Sequence, residues 1–253
     1  MVNTKRLTNF IPLTTRTKIW RASHRIKTFR PAIIAGIRTH EKVVALTFDD
    51  GPNPTFTPQI LDVLDRHQVK ATFFVLGENA SAHPELVRRA AQAGHTLGNH
   101  THSHCHLVRL NFREIVDELN RCKQVIQAAG QTPQFLRPPF GEYDMHAVVV
   151  ARTLGYQLVN WTLDTEDWRA DDADQIVRQV LSNVQPGGIV LMHDGWPERP
   201  DTRSNTHADL LVRDRTPTVQ ALPGMITRLR VDGYRFVTLD ELMKIGERLM
   251  NRW

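Results

Sequence analysis

Short apolar runs alternate with longer periodic segments along most of this chain, and this alternation constrains the fold more than any other feature of the sequence. The runs that we predict to be strands are rich in β-branched, aromatic or leucine side chains: 43–48, 71–76, 96–99, 135–136, 157–163, 188–192 and 235–239. The segments between and after them have helical periodicity: 57–67, 81–93, 111–129, 144–154, 171–184, 217–232 and 239–249. Strands that alternate with helices predict an α/β fold with a parallel sheet, and about seven strands suggest an incomplete barrel.

The length and composition of the chain fit one large domain. A chain of 253 residues that is 41% hydrophobic can bury one sizeable core, and barrels of this length often form a single domain. No apolar run in the sequence approaches the roughly 18 residues that span a membrane. Two cysteines, Cys105 and Cys122, provide no framework of disulfides. These observations argue against a membrane-spanning protein and against a disulfide scaffold.

Two adjacent carboxylates, Asp49 and Asp50, follow the first predicted strand. Gly51 and Pro52 come directly after them, so the strand is expected to end in a sharp turn. Neighbouring carboxylates repel each other, and the repulsion is relieved when one binds a cation and the other accepts a proton. The pair is therefore a candidate metal ligand and general base, although such pairs also serve as helix caps or as solvated turn residues.

A histidine pair, His100 and His104, follows the predicted strand at 96–99. Two imidazoles and one carboxylate supply the N,N,O ligands of an open Zn²⁺ site. We therefore predict that Asp50, His100 and His104 bind a divalent metal, with Zn²⁺ as the first choice and Co²⁺ as the alternative. The neighbouring Cys105 is a less favoured fourth ligand or an oxidation-sensitive thiol.

Three more motifs follow predicted strands in the same way: Arg137-Pro138-Pro139-Phe140-Gly141, Asp164-Thr165-Glu166-Asp167-Trp168 and Leu191-Met192-His193. Together with Thr47-Phe48-Asp49-Asp50-Gly51 and the histidine pair, they resemble the ordered motifs TFDDG, H[ST]xxH, RPP[FY]G, DxxDW and LxH. These motifs are typical of the polysaccharide deacetylases of NodB-homology type, carbohydrate esterase family 4. The resemblance extends over about 42–242. It implies a distorted (β/α) barrel with its functional face at the strand ends.

A hydrolase that removes acetyl groups needs an activated water, a base and an acid, and the motif residues can supply them. Asp49, next to the metal, is predicted to accept a proton from the water. His193 is predicted to protonate the leaving amine, because imidazolium gives up a proton near neutral pH. Arg137 is a permanent cation that can keep Asp49 ionised and oriented. Asp164 either raises the pKa of His193 or orients Arg137, and the sequence leaves both partners open.

Substrate contacts are expected from the same motifs. The backbone N–H of Phe140 is a candidate donor to the tetrahedral oxyanion. Trp168 and Leu191 are candidates for the wall of a small apolar pocket around the acetyl methyl group, although ordinary core packing would also explain them.

The sequence departs from the family pattern near the histidine pair and after the last motif. His102 stands where an aromatic residue is common, and His106 is expected to lie in solvent rather than to bind metal. A polar segment at 196–215 intervenes after the last motif. It is predicted to be either a lid over the substrate, with Trp196 as a platform for a sugar ring, or disordered.

The first part of the chain is strongly basic. Residues 1–42 contain ten Lys or Arg and one acidic residue, whereas the rest of the chain contains 22 basic and 26 acidic residues. We therefore divide the chain into a basic N-terminal arm at 1–41 and a catalytic domain at 42–253. Apolar residues recur in the arm at helical spacing, at Ile19, Ala22, Ile26, Phe29 and Ile33. This amphipathic segment either contacts an anionic membrane or cell-wall surface or packs across the barrel.

The start of the chain does not match a secretory signal. Residues 1–13 contain Lys5 and Arg6 but no following apolar stretch of about 7 to 15 residues. A cytoplasmic location is the default expectation, and an extracellular or cell-wall location, as in many relatives, is the alternative.

The motifs together predict a metal-dependent hydrolase that removes N-acetyl groups from glycans containing N-acetylglucosamine, such as chitooligosaccharide or peptidoglycan. The alternative within the same chemistry is O-deacetylation, as in relatives that act on acetylxylan. A catalytically silent glycan-binding module is the alternative from another class. An acetylated glycan is the expected partner, no nucleic acid is expected, and the oligomeric state stays open.

Overall fold

The computed structural model describes residues 32–197 and 214–252. The strands in these ranges are β1 (Ala32–Arg38), β2 (Val43–Asp49), β3 (Thr72–Val75), β4 (Thr96–Asn99), β5 (Phe135–Leu136), β6 (Gln157–Leu158), β7 (Leu163–Asp164), β8 (Gly188–His193), β9 (Arg235–Phe236) and β10 (Glu247–Arg252). The helices are α1 (Phe56–Arg66), α2 (Gly77–Ala82), α3 (Pro84–Gln92), α4 (Phe112–Ala128), α5 (Met145–Thr153), α6 (Ala173–Asn183), α7 (Thr216–Val231) and α8 (Leu239–Leu242). Short 3-10 turns lie at Leu107–Arg109, Pro139–Gly141 and Asp167–Arg169.

These strands belong to one curled, ten-stranded sheet. Its main path runs β10-β1-β8-β2-β3-β4-β5-β6, with β7 paired to β8 and β9 paired to β2. The pairs from β2 to β6 are parallel, as is the pair of β2 with β8. By contrast, β1 pairs antiparallel with both β8 and β10. The arrangement confirms the predicted α/β fold and distorted barrel.

The residues of β2 explain why this segment occupies the centre of the sheet. All seven are buried, as expected for a parallel strand that is covered on both faces. Leu46 and Phe48 pack in one apolar cluster with Ile60 of α1. Ala45 belongs to a second cluster, which includes Phe74 of β3. The two faces of β2 therefore contribute to two different parts of the core.

The helix α4 supports the strand that leads to the histidine pair. It begins at a capping box, in which Asn111 and Glu114 each accept a hydrogen bond from the backbone N–H of the other. Ile115 and Leu119 are buried one helical turn apart. The side-chain amide of Asn99, at the end of β4, donates to the carbonyl of Leu119 at 2.9 Å. This hydrogen bond fixes α4 beside the carboxyl end of β4.

The sequence pattern is wrong about several element boundaries. It predicts one strand at 157–163, but this segment crosses from one pairing partner to another, so that β6 pairs with β5 and β7 pairs with β8. The predicted strand at 235–239 ends at Phe236. The predicted helix at 239–249 covers only α8, and the chain then forms β10, whose backbone groups pair with those of β1.

The strand β1 is absent from the sequence prediction, which places Ile33 on the apolar stripe of a helix. In the structure Ile33 is fully buried in β1. Ile34 forms a parallel bridge with Val159, and Gly36 pairs with Gly188 of β8. The strand therefore closes the sheet between β6 and β8, and the barrel begins before residue 42.

Some predictions fall outside the described residues. They are the rest of the proposed arm helix, up to Phe29, and most of the polar segment at 196–215. Within the described ranges, none of the helices combines the length and the apolar character that crossing a membrane requires.

Candidate active site

The motif residues meet at the carboxyl ends of the parallel strands. Asp49 is the last residue of β2 and His193 the last residue of β8, and the strand register pairs them directly. β4 and β5 end immediately before His100 and Arg137. Because parallel strands end at one edge of the sheet, residues far apart in sequence lie together there.

Asp50, His100 and His104 form a buried cluster that fits a divalent metal. Asp50 Oδ1 lies 3.4 Å from His100 Nε2 and 3.2 Å from His104 Nε2, and one ligand atom from each residue lies within 4.8 Å of the others. Ligands at about 2.0–2.1 Å from a tetrahedral Zn²⁺ are about 3.3 Å apart, which matches these separations. Asp50 Oδ1 is also buried without a hydrogen-bond partner, which a role as a cation ligand explains.

The two histidines can present lone pairs to a cation. His100 Nδ1 lies 2.7 Å from the carbonyl oxygen of Arg137, which can only accept, so Nδ1 carries the proton and Nε2 faces Asp50. Burial lowers the pKa of His104 to about 4, so its imidazole is neutral near pH 7. Neutral imidazole is the form that binds metal.

The carboxylates of the site favour a positive charge between them. Burial alone would raise the pKa of Asp50, but His104 and His100 hold it well below its usual range. Burial alone would lower the pKa of His100, but Asp49 and Asp50 raise it. A bound cation would supply the positive charge in place of a proton, which is the usual relation between a metal ion and its ligands.

Asp49 is held by a buried arginine. Arg137 is fully buried, and its Nη1 donates to Asp49 Oδ1 and to Thr47 Oγ1, both at 2.7 Å. Its guanidinium also stacks over the ring of Phe74 at 4.2 Å. Asp49 Oδ2 lies 3.7 Å from His100 Nε2. One oxygen of Asp49 is thus fixed by Arg137, and the other faces the metal-ligand cluster.

His193 forms a pair with a different carboxylate from the one that the sequence suggests. Its Nδ1 hydrogen bonds to Asp167 Oδ1 at 2.7 Å, and Asp167 Oδ2 accepts from the backbone N–H of His193 and from Thr218 Oγ1. Burial alone would lower the pKa of His193, but the charge and hydrogen bond of Asp167 raise it to about 9. His193 is therefore an imidazolium near neutral pH, with Asp167 bound at its Nδ1.

Asp164 lies in the same motif but makes other contacts. Its Oδ1 accepts the backbone N–H of Glu166 at 2.8 Å. Burial lowers the pKa of Arg137, and the charges of Asp49 and Asp164 oppose this effect. His193 is hydrogen bonded to Asp167, and Asp164 interacts with both partners left open by the sequence, His193 and Arg137, through charge.

Phe140 is the expected substrate-contacting residue that lies against the ligand cluster. Its backbone is left-handed, with φ 60°, and the residue is 47% exposed. The ring centroid lies 4.6 Å from that of His104 and 3.9 Å, nearly parallel, from that of His106. Leu191 is buried in β8 between Thr47 and Asp164 of the flanking strands.

Trp168 is half-buried, and the Arg169 guanidinium lies 5.4 Å from its ring centroid. The expected apolar pocket of Trp168 and Leu191 stays a prediction.

The other groups near the histidine pair have no ligand role in this arrangement. His106 is buried and not solvated, and its Nδ1 hydrogen bonds to Glu142 at 2.8 Å. Burial raises the pKa of the Cys105 thiol to about 12, so it is not a thiolate at neutral pH. His102 is buried against Gly77, outside the cluster of Asp50, His100 and His104.

Besides Asp167, two residues that hold the site together are missing from the sequence predictions. Asn79 donates to the carbonyl of Asp50 at 2.8 Å and to that of Trp196 at 3.0 Å. The buried carboxylate of Asp194 lies against Gly51, where a Cβ would be only 2.1 Å from it. Burial raises the pKa of Asp194 to about 7. The position of Asp194 directly after His193 is a signal for this residue, whereas no motif marks Asn79.

Known proteins are similar to this chain in sequence and in fold. The sequence profile of the polysaccharide deacetylase family matches residues 36–159. The chitooligosaccharide deacetylase of Bradyrhizobium sp. (strain ANU 289) is 40% identical over 201 residues, which cover 79% of this chain and 90% of that protein. The chain belongs to the polysaccharide deacetylase family. The resemblance seen in the five motifs is thereby confirmed.

Further relatives support the assignment of this deacetylase to the polysaccharide deacetylase family. A peptidoglycan-N-acetylglucosamine deacetylase of Bacillus cereus (strain ATCC 14579) is 40% identical over 205 residues, or 81% of this chain and 69% of that protein. The crystal structure of the Bc1960 peptidoglycan N-acetylglucosamine deacetylase in complex with 4-naphthalen-1-yl-N-oxidanyl-benzamide has a TM-score of 0.75. It is 36% identical and covers 85% of this chain and 94% of that chain. Deacetylases of carbohydrate esterase family 4 are metal-dependent, in agreement with the Asp/His/His cluster.

Proposed function

We propose that this deacetylase removes N-acetyl groups from glycans that contain N-acetylglucosamine, of the chitooligosaccharide or peptidoglycan type. The single observation that carries this proposal is a metal-ligand cluster near an Arg137-held carboxylate, Asp49, and an Asp167-held imidazolium, His193, at the ends of two paired strands. Hydrolysis of an acetamide at a metal site requires both a base and an acid.

Asp50, His100 and His104 would hold the metal, and we propose Zn²⁺ as the ion, with Co²⁺ as the alternative. A divalent ion at this position supplies a Lewis acid that makes a nearby water more acidic and polarises the acetyl carbonyl. The buried, unpartnered Asp50 Oδ1 and the neutral His104 support this ligand set.

Asp49 would act as the general base. Its Oδ2 faces the cluster, and its Oδ1 is held by Arg137, so the carboxylate is oriented to accept a proton from the attacking water. The water oxygen then forms a bond to the acetyl carbon while Asp49 takes the proton. The backbone N–H of Phe140 is our candidate for a donor to the resulting oxyanion.

His193 would act as the general acid in the second half of the reaction. The bond between the acetyl carbon and the amide nitrogen breaks, and the proton on His193 Nε2 goes to the leaving amine. An amine leaves readily only when it is protonated, and Asp167 keeps His193 protonated near neutral pH. A protonated His193 favours an N-acetyl substrate over an O-acetyl substrate, because an amine leaving group needs the proton more than an alcohol does. Trp168 and Leu191 are our candidates for contacts with the acetyl methyl group.

Acetate release from chitooligosaccharide tests this proposal. The protein is freed of metal with a chelator, restored with Zn²⁺ or Co²⁺, and compared with Asp49→Asn under the same conditions. We expect metal-dependent release that Asp49→Asn reduces by about 10²-fold or more, the range that one general base contributes.

Acetylxylan serves as the control substrate for O-deacetylation. Release from acetylxylan alone would replace the N-acetyl assignment with the O-acetyl alternative. Metal-loaded protein that binds the glycans without any release would instead support the silent binding module.

A further inference from the structure

The loop that joins the two histidine ligands adopts an unfavourable backbone conformation. Thr101 has φ 70° and His104 has φ 56°, both in the left-handed region, and neither residue is a glycine. Side chains with a Cβ avoid this region, so the loop needs other interactions to hold it there. Residues 101–103 connect His100 to His104, so the shape of this loop sets the separation of the two ligands.

A carboxylate from the neighbouring helix holds the middle of this loop. Glu118 of α4 accepts the backbone N–H groups of His102 and Ser103 on Oε2, both at 2.9 Å. Its Oε1 accepts the hydroxyl of Ser103 at 3.0 Å. Hydrogen bonds to a charged acceptor are stronger than those between neutral groups. The two N–H groups that Glu118 binds belong to the two residues between the left-handed positions.

The other hydrogen bonds of the loop come from the protein backbone or from residues adjoining the loop. They are Thr101 N–H to Asn99 Oδ1 at 2.8 Å, His104 N–H to Thr101 Oγ1 at 3.1 Å, Gly77 N–H to the carbonyl of Thr101 at 3.0 Å and Glu78 N–H to the carbonyl of His102 at 2.9 Å. Glu118 differs from all of these because it is a charged side chain on a separate helix. The next residue on α4, Leu119, is buried in the core, so this part of the helix is held in place and Glu118 with it.

We propose that Glu118 is a positioning residue that holds the ligand loop in its metal-binding geometry. The inference rests on the proposed metal site at Asp50, His100 and His104, and it adds a residue that touches neither the metal nor the substrate. Residues that hydrogen bond to metal ligands and orient them, without touching the ion, raise the affinity for the ion, and their loss typically weakens binding by about tenfold to a hundredfold. Loss of Glu118 should therefore weaken metal binding even where the protein stays folded.

The test measures the Zn²⁺ dissociation constant of the full chain by competition with a chromophoric chelator. Glu118→Ala removes the three hydrogen bonds, and Glu118→Gln keeps one acceptor oxygen but replaces the other with an NH₂ group that cannot accept. We expect Glu118→Ala to weaken Zn²⁺ binding by about tenfold to a hundredfold and Glu118→Gln by an intermediate factor.

Asp117→Asn is the matched control. Asp117 precedes Glu118 on α4, its side chain is 69% exposed, and it pairs with Arg121 at 4.0 Å. This variant removes the same charge from the same helix without touching the loop. We expect its Zn²⁺ affinity to equal that of the unsubstituted protein.

The melting temperatures of the metal-free proteins distinguish a purely structural role of Glu118 from a role in positioning the metal ligands. If Glu118 only stabilised the fold, the variants would melt earlier but would bind Zn²⁺ within about twofold of the unsubstituted protein at a temperature where all are folded, and the proposal would be overturned. Should Glu118→Ala fail to fold, Glu118→Gln decides. The readout does not use acetate release, so a protein that binds Zn²⁺ tightly and releases no acetate would refute the proposed function while leaving this inference standing.

Discussion

The imidazole of His193 hydrogen bonds to only one of the two aspartates in the motif at 164–168. Asp167 lies 2.7 Å from Nδ1, whereas Asp164 accepts a backbone N–H within its own turn. The hydrogen bond and charge of Asp167 keep His193 in its acid form well above the ordinary histidine pKa. Asp167 is therefore the largest of the influences that raise the pKa of His193.

We expect Asp167→Asn to shift the alkaline limb of the kcat–pH profile to lower pH. His193 works as an acid only while protonated, and it loses its proton as the pH rises through a pKa of about 9. Asparagine keeps an acceptor but removes the charge, so the pKa should fall toward the ordinary value of about 6.5. Activity should then drop strongly near pH 8 and change little near pH 6, as measured by kcat for acetate release at each pH.

Asp164→Asn is the control for this prediction. It removes a charge from the same motif without removing the hydrogen bond to His193. We expect a much smaller shift of the alkaline limb in this variant. Equal shifts in the two variants would contradict the assignment of Asp167 as the partner of His193.

At this scale, sequence predicts residue types better than pairings. The metal-ligand candidates and Asp49 with Arg137 come together as the motifs indicate, because each follows a strand of the same parallel sheet. The partner of His193 does not follow from spacing. Glu166 has a left-handed φ of 54°, and the chain turns there, so the motif alone does not tell which carboxylate faces β8.

Among the elements, the position of β1 depends on close contact between its backbone and that of Gly187, in the turn before β8. The backbone N–H of Ile37 donates to the carbonyl of Gly187 at 2.9 Å. Gly187 has φ 78°, and a Cβ on it would lie 1.9 Å from the carbonyl oxygen of Ile37. Only glycine fits at this point without displacing β1.

We therefore expect Gly187→Ala to destabilise the protein by about 4 kcal/mol or more, because backbone strain and a backbone clash add together. Gly155→Ala is the matched comparison, since Gly155 has φ 89° and a Cβ on it would have nothing within 4 Å. It should cost only the left-handed strain of about 1–2 kcal/mol. Urea unfolding of both variants measures the difference, and equal losses would show that the contact with β1 is unimportant.

The elements that sequence predicts well are those with local signals. Apolar runs and helical periodicity identify β2, β3, β4 and α4 within a few residues. By contrast, β1 and β10 form because two segments at opposite ends of the described chain pair with each other. Such pairing depends on the rest of the barrel, which no short window of sequence contains.

For the whole molecule, β1 completes the barrel wall. Ile33, Ile34 and Ile37 are 0%, 2% and 0% exposed, and they belong to two apolar clusters of the core. Burying three such side chains contributes about 5–9 kcal/mol. That is comparable with the entire stability of a typical domain, about 5–15 kcal/mol.

A protein that starts at residue 42 should therefore fail to fold, whereas one that starts at residue 32 keeps β1. We expect the shorter protein to be insoluble or to lack a cooperative melting transition, and the longer one to melt as a folded domain. The measurement is soluble yield followed by thermal melting. Equal melting temperatures for the two proteins would show that β1 is dispensable and that the catalytic domain begins at residue 42, as the charge distribution suggests.

The antiparallel ladder of β1 and β10 has a topological consequence. Its register places Ala32 opposite Arg252, so the path of the described chain begins and ends at neighbouring points. The first and last described strands are thus direct neighbours in the sheet. A circular permutant joined at these ends by a short linker, and opened in an exposed turn elsewhere, would present the same residues at the same strand ends.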